Sequence, residues 1–112
     1  MYVFSEWGEA GNYETLSSIT AATGFTKAKI NTPAVEGLKG LRCRAVLITI
    51  ETGAIVFTED GTTPTTTALN GVGHLLAVGD AKIITGQGNI QRFQCINAVA
   101  GNNATVHCTF YF

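Results

Sequence analysis

The residues of this chain with the chemistry for catalysis or metal binding are two histidines, three cysteines and a few carboxylates. Nucleophilic catalysis needs a hydroxyl or thiol beside a base that a third group orients. His74 stands at the start of an apolar run and His107 alternates outward on the last one. Nothing in the spacing sets either beside a Ser and an Asp. Zinc takes four ligands at short spacings. His107 and Cys108 are adjacent, so on a strand they point to opposite faces, and Cys43 and Cys95 stand alone. Glu59 and Asp60 are sequential, and two carboxylates fall short of the six or more oxygens that calcium takes. GVGHLLAVG, from Gly71 to Gly79, lacks the strand–turn–helix setting of a dinucleotide motif, and no GK[ST] phosphate loop occurs. Asn103-Ala104-Thr105 matches a glycosylation acceptor, but MYVFSEWGEAG at the start holds no basic segment followed by a long apolar one. The expectation is a non-enzymatic protein with no catalytic residue, no metal and no cofactor.

Those residues must sit on something, and the composition says what. A chain of 112 residues is one domain's worth, long enough to bury roughly two thirds of its unfolded surface without staples. Charged residues make up 13%, about half the usual ~25%. A soluble domain uses surface charge to stay apart from its neighbours, so a pale surface predicts assembly. The net charge is -1 and the seven Lys and Arg are scattered. That predicts neither a nucleic-acid partner nor an anionic membrane surface. No apolar run is long enough for a membrane span. An odd count of three cysteines argues against a closed disulfide framework within one chain, with a Cys95–Cys108 bridge between late strands as the exception. Cys43, Cys95 and Cys108 lie in apolar runs and read as buried free thiols of a protein made in a reducing cytoplasm.

The chain pattern is β. From Ala104 to Phe112, Ala104, Val106, Cys108, Phe110 and Phe112 share one face, and Thr105, His107, Thr109 and Tyr111 the other. Leu41–Glu51 is apolar on both faces around Ala45–Ile50, the mark of a central strand covered on both sides. Ile55–Glu59 follows across Thr52-Gly53 as a hairpin partner. Gly73–Val78, Ala81–Thr85 and Asn89–Ala98 come next, separated by Gly79-Asp80 and Gly86-Gln87-Gly88. Tyr13–Ile19 and Phe25–Ile30 read as a further pair. Helix evidence is limited to one turn within Thr32–Lys39, where Pro33 suits a first helical position. Seven or eight strands with turn signals between them predict an all-β fold: a single antiparallel β-sandwich or jelly-roll-like domain over residues 13–112. Residues 1–12 read as an N-terminal arm.

Two features call for partners or turns rather than chemistry. Tyr2, Phe4 and Trp7 crowd the first residues, and aromatics are favoured interface anchors. They pack either on their own domain or on a neighbouring subunit. Between Phe57 and Leu76, Asp60-Gly61 signals a turn, because Gly accepts positive φ and Asp can bond the backbone ahead of it. Pro64 stops a ladder, and the threonines around it can satisfy loop backbone groups. Asp60, Gly61 and Pro64 are therefore expected to hold a rigid corner.

AIVFTEDGTTPT at this corner resembles the xxRYTxDGTxPT corner of small virion proteins of tailed bacteriophages. The family continues with a GHLLAAGD segment, an NIxxFRAI segment and a closing ATLxVTYF. Here VGHLLAVGD (Val72–Asp80), NIQRFQCINA (Asn89–Ala98) and ATVHCTFYF (Ala104–Phe112) stand in the same order. The resemblance covers roughly residues 41–112. The chain departs from the family at Val56 and Phe57, where Arg and Tyr are common, and in its late cysteines, and residues 1–40 carry no match. The resemblance implies a structural protein of a phage particle, a capsid decoration (cement) protein or a head–tail or tail component. Such a protein would be made in the host cytoplasm and located in the virion. It would form a homo-oligomer, with a trimer favoured and a dimer open, that binds the major capsid protein or another virion protein. A similar corner occurs in Ig-like modules attached to carbohydrate-active enzymes. That keeps a carbohydrate- or receptor-binding module of a tail component as the alternative, with Trp7, Tyr13 and Tyr111 as its stacking candidates.

Overall fold

A computed structural model describes residues 8–17, 19–67 and 71–112. Tyr2, Phe4 and Trp7 lie outside the described residues. The elements in chain order are β1 (Ala10–Ser17), α1 (Lys27–Asn31), a 3-10 turn (Glu36–Leu38), β2 (Ala45–Glu51), β3 (Ile55–Thr58), β4 (His74–Leu76), β5 (Ala81–Thr85), α2 (Gln87–Arg92), β6 (Gln94–Asn97) and β7 (Thr105–Tyr111). They form two antiparallel sheets, a four-stranded one in the order β1-β7-β2-β5 and a three-stranded one in the order β4-β3-β6. The chain is an all-β, sandwich-like domain.

The alternation along β7 sets the layers. Ala104, Val106, Cys108, Phe110 and Phe112 are all buried, whereas Thr105, Thr109 and Tyr111 are half-buried and His107 is exposed. The inward row meets Val46, Ile48 and Ile50 of β2, Ile84 of β5 and Leu16 of β1 from the same sheet. From the other sheet it meets Ile55, Phe57 and Cys95. Phe25 stacks on Phe93 with ring centroids 4.3 Å apart and stands edge-on to Phe110 at 5.4 Å. Phe93 also lies 6.0 Å from Phe57. Such aromatic pairs add to the burial of their area and tie the connecting segments to both sheets.

Several expected strands resolve differently. Phe25–Ile30 is not a strand: the Thr26 carbonyl accepts the N–H groups of Lys29 and Ile30, and the Glu14 carboxylate accepts the Thr26 N–H at 3.0 Å. That starts α1, which buries Ile30 alone. Asn89–Ala98 is also not one strand. Gly86 has φ 90°, where only glycine is at ease, and it ends β5. The chain then winds through α2 to bury Ile90, so that the strand begins only at Gln94. β2 and β3 do not form a hairpin but lie in different sheets. Thr52 takes φ 66°, and its hydroxyl lies within hydrogen-bond reach of the Glu51 and Asn103 carbonyls, at 2.7 and 2.8 Å. The turn swings the chain across the sandwich instead of back along the sheet. β1 starts at Ala10, opposite Tyr111, so Ala10–Asn12 belong to the sheet. The single turn expected within Thr32–Lys39 is the one at Glu36–Leu38, which starts after Val35, so Pro33 does not take the first helical position.

Candidate interaction surface

The corner is built from the residue types found there. Gly61 has φ +92°. Asp60 Oδ1 accepts the Thr62 N–H at 2.9 Å, and that bond holds the carboxyl below its ordinary pKa. Pro64 is buried. The Thr58 hydroxyl donates to the Thr62 carbonyl, and Thr67 donates N–H and hydroxyl to the Ala98 carbonyl at 2.9 and 3.1 Å. The segment is thus tied to the end of β3 and to Ala98 just beyond β6, and β4 after it pairs with β3 in the same sheet. Gly73, which the sequence did not single out, makes the tightest approach. A Cβ there would lie 2.6 Å from the Phe57 carbonyl oxygen and 2.8 Å from Val56 Cγ1.

Beside the corner lies an open depression of about 340 Å3, lined by Thr58, Glu59, Asp60, Thr62, Val72, Gly73 and His74. Asp60 is committed to its own turn, and the His74 ring leans on Phe57 at 5.7 Å. Among the described residues no group of three or more His, Cys, Asp or Glu could hold a metal ion. His107 lies on the other sheet, with Nε2 at 2.8 Å from Glu51 Oε1 and Nδ1 at 3.4 Å from the Thr15 hydroxyl. It ties β1, β7 and β2 together across the outer face. The three thiols are free and buried. Burial pushes Cys43 up to about 11 and Cys95 up to about 12, and raises Cys108 further with help from Cys95 and Glu14. A thiol held protonated is a poor nucleophile.

The broadest feature is the outer face of the four-stranded sheet. Registry places Tyr13, Thr109, Leu47 and Ile83 in one row across all four strands, and Thr15, His107, Thr49 and Ala81 in the next. Ser17, Thr105 and Glu51 form a third row, and Tyr111, Ala45 and Thr85 lie at the opposite end. Glu51 is the single Asp, Glu, Lys or Arg on these rows. Tyr13 is 66% exposed, and Leu47, Thr49 and Ile83 are half-buried. The second face of β2, expected to be covered, is therefore partly open. Tyr13 and Tyr111, remote in sequence, lie diagonally on this one face, because Tyr13 pairs with Thr109, two residues from Tyr111. Diagonal neighbours on a sheet are roughly 7–8 Å apart.

The registry of this face could not be read from the sequence, because it depends on β7 inserting between β1 and β2. The alternation of β7 and the mixed face of β2 were the only signals of it. No protein-family model, curated protein or solved structure matches this chain. No helix among the described residues is long and apolar enough to cross a membrane.

Proposed function

We propose that this chain is a non-enzymatic structural component of a bacteriophage virion, a capsid decoration protein that works as a homo-oligomer on the shell. The observation that carries the reading is the outer face of the four-stranded sheet, on which Glu51 is the single Asp, Glu, Lys or Arg and meets His107 at 2.8 Å. Charge is depleted at the centres of protein interfaces. The ordered series of corner, GHLLAVGD, NIQRF and closing strand supplies the virion context. The mechanism is mechanical: many copies, each burying modest area, make a shell harder to take apart through multivalency. Cosedimentation of the full chain with purified shells of the phage that encodes it tests the reading. Stoichiometric, saturable binding is expected, and the chain remaining in the supernatant would count against it.

A second reading rests on Tyr13 and Tyr111. Tyr13, 66% exposed on the same face as the half-buried Tyr111, could stack on a sugar ring, as a carbohydrate- or receptor-binding module of a tail component requires. Glycan-array binding lost in Tyr13→Ala, without shell binding by the parent, would favour this alternative.

A further inference from the structure

Each sheet of the sandwich has two edges, and the chain treats them unequally. The outer edge of β1 is bonded along its first half: the Gly11 carbonyl accepts the Ala34 N–H at 2.9 Å and the Tyr13 carbonyl accepts Lys29 Nζ at 3.0 Å, while Thr15 and Ser17 beyond them make no such backbone bond among the described residues. The outer edge of β6 is capped. Cys95 exchanges both backbone bonds with Thr23 at 2.9 Å, and the Asn97 N–H donates to Ile19 at 2.9 Å. β5 is different. The Ile50 N–H donates to the Asp80 carbonyl at 3.1 Å. With Ile48 opposite Lys82 and Val46 opposite Ile84, the antiparallel alternation turns the backbone groups of Lys82 and Ile84 toward β2. It turns those of Ala81, Ile83 and Thr85 outward. Of these, only the Thr85 carbonyl meets a partner among the described residues, Asn89 Nδ2 at 3.0 Å.

An open edge is a template for another strand, and proteins usually blunt it with an outward lysine, a proline or a bulge. β5 has no proline, and its one charge is Lys82, whose ammonium lies over the Phe57 ring at 5.8 Å from the centroid. The turn leading into β5 exposes Val78, and the stretch from Val72 to Gly79 carries no Asp, Glu, Lys or Arg.

We propose that β5 is the site where a second copy of this chain adds its own β5, antiparallel about a two-fold axis at Ile83. Ala81 then faces Thr85 of the partner subunit, and the row Tyr13–Thr109–Leu47–Ile83 runs on into its own copy. The occupant is a second copy because the edge is complementary to itself, as a two-fold contact requires. The chain's net charge of -1 also sets little repulsion against its own kind. The edge is roughly 17 Å long at ~3.4 Å per residue, so it covers well under the ~800 Å2 per partner of a standard interface. The contact is weak in free solution and gains force where copies are crowded. It rests on the homo-oligomer part of the reading above, deepens it, and selects the dimer over the trimer.

The test uses the full chain without shells. Ile83→Cys should form a disulfide-linked dimer under mild oxidation, because hydrogen-bonded partners sit with Cα atoms roughly 5.5 Å apart, inside disulfide range. The native thiols are buried and do not compete. Thr15→Cys, on the opposite edge strand, is the control and should stay reduced. Sedimentation over a concentration series should show a monomer–dimer equilibrium. Ile83→Pro, which removes an outward N–H and no bond to β2, should weaken it about tenfold or more, and Ile83→Lys, which leaves the backbone free to keep its fold, should do the same. Equal cross-linking of both cysteine variants, or a monomer at every concentration, would overturn the proposal. So would loss of shell binding in Ile83→Pro with no self-association of the parent, since the edge would then belong to a different chain. Dimerisation without shell binding would leave this contact standing and remove the virion reading.

Discussion

Gly61 and Gly73 flank the crossing segment, and both take positive φ, +92° and +120°. They should respond to substitution very differently. An L-residue in the left-handed region costs roughly 1–2 kcal/mol. At Gly61 that is the whole cost, because a Cβ there would meet only Arg92 Cδ, at 3.7 Å. Gly61→Ala should therefore lose roughly 1–2 kcal/mol. At Gly73 the added Cβ would stand 2.6 Å from the Phe57 carbonyl oxygen and 3.2 Å from its carbon. Those are backbone atoms of the middle strand of the three-stranded sheet, and they cannot step aside as a side-chain tip can. Overpacking of this kind adds roughly 1–3 kcal/mol, which takes Gly73→Ala to about 2–5 kcal/mol. Urea unfolding of the parent and the two variants, with the slope checked for constancy, measures the difference. Equal midpoints for the two variants, or a neutral Gly73→Ala, would refute the account of how the corner is seated on β3.

Phe93, buried between Phe25 and Phe57, should cost about 3–5 kcal/mol as Phe93→Ala. That is a large part of the ~0.05–0.15 kcal/mol per residue that holds a domain together, and the loss is readable in the same urea titration. Cys43, Cys95 and Cys108 should resist a thiol reagent in native protein at neutral pH and react together on unfolding; rapid native labelling would contradict their burial. Their folded pKa values lie above the unfolded one, so the folded state holds protons that the unfolded state releases. Their contribution is complete below the unfolded value near 9.0 and is lost as pH rises toward about 11 for Cys43 and about 12 for Cys95. Stability should fall above about pH 9, and less steeply in Cys95→Ala. Deleting Met1–Trp7 should weaken particle binding while leaving the circular dichroism of the β-domain unchanged. The cut stops at Trp7 because Glu9 exchanges backbone bonds with Phe112.

What was legible in the sequence was what local pattern encodes. Period-two alternation gave β7 and its buried row, and residue chemistry gave the corner at Asp60, Gly61 and Pro64. What was not legible depends on contacts remote along the chain. Lys27–Asn31 is helical where a strand was expected, and Glu14, remote in sequence, accepts the Thr26 N–H at its start. Thr52-Gly53 looked like a hairpin turn, but it sends β3 to the other sheet because the Thr52 hydroxyl reaches Asn103. Asn89–Ala98 looked like one strand because Ile90 and Phe93 are apolar at positions that a short helix buries equally well. The outer face could not be seen until the order β1-β7-β2-β5 set Tyr13, Thr109, Leu47 and Ile83 side by side.

The central claim is that the charge-poor outer face of the four-stranded sheet docks this chain onto a shell. Leu47 stands in the middle of that face, half-buried and opposite Thr109 and Ile83. A carboxylate placed there would be left unpaired in the contact, at a loss of at least about tenfold in affinity. The measurement is cosedimentation of the parent and Leu47→Glu with purified phage shells, both proteins first shown folded by circular dichroism. The account predicts saturable binding of the parent and its loss in the variant. Failure of the parent to bind, or equal binding by the two, would contradict it.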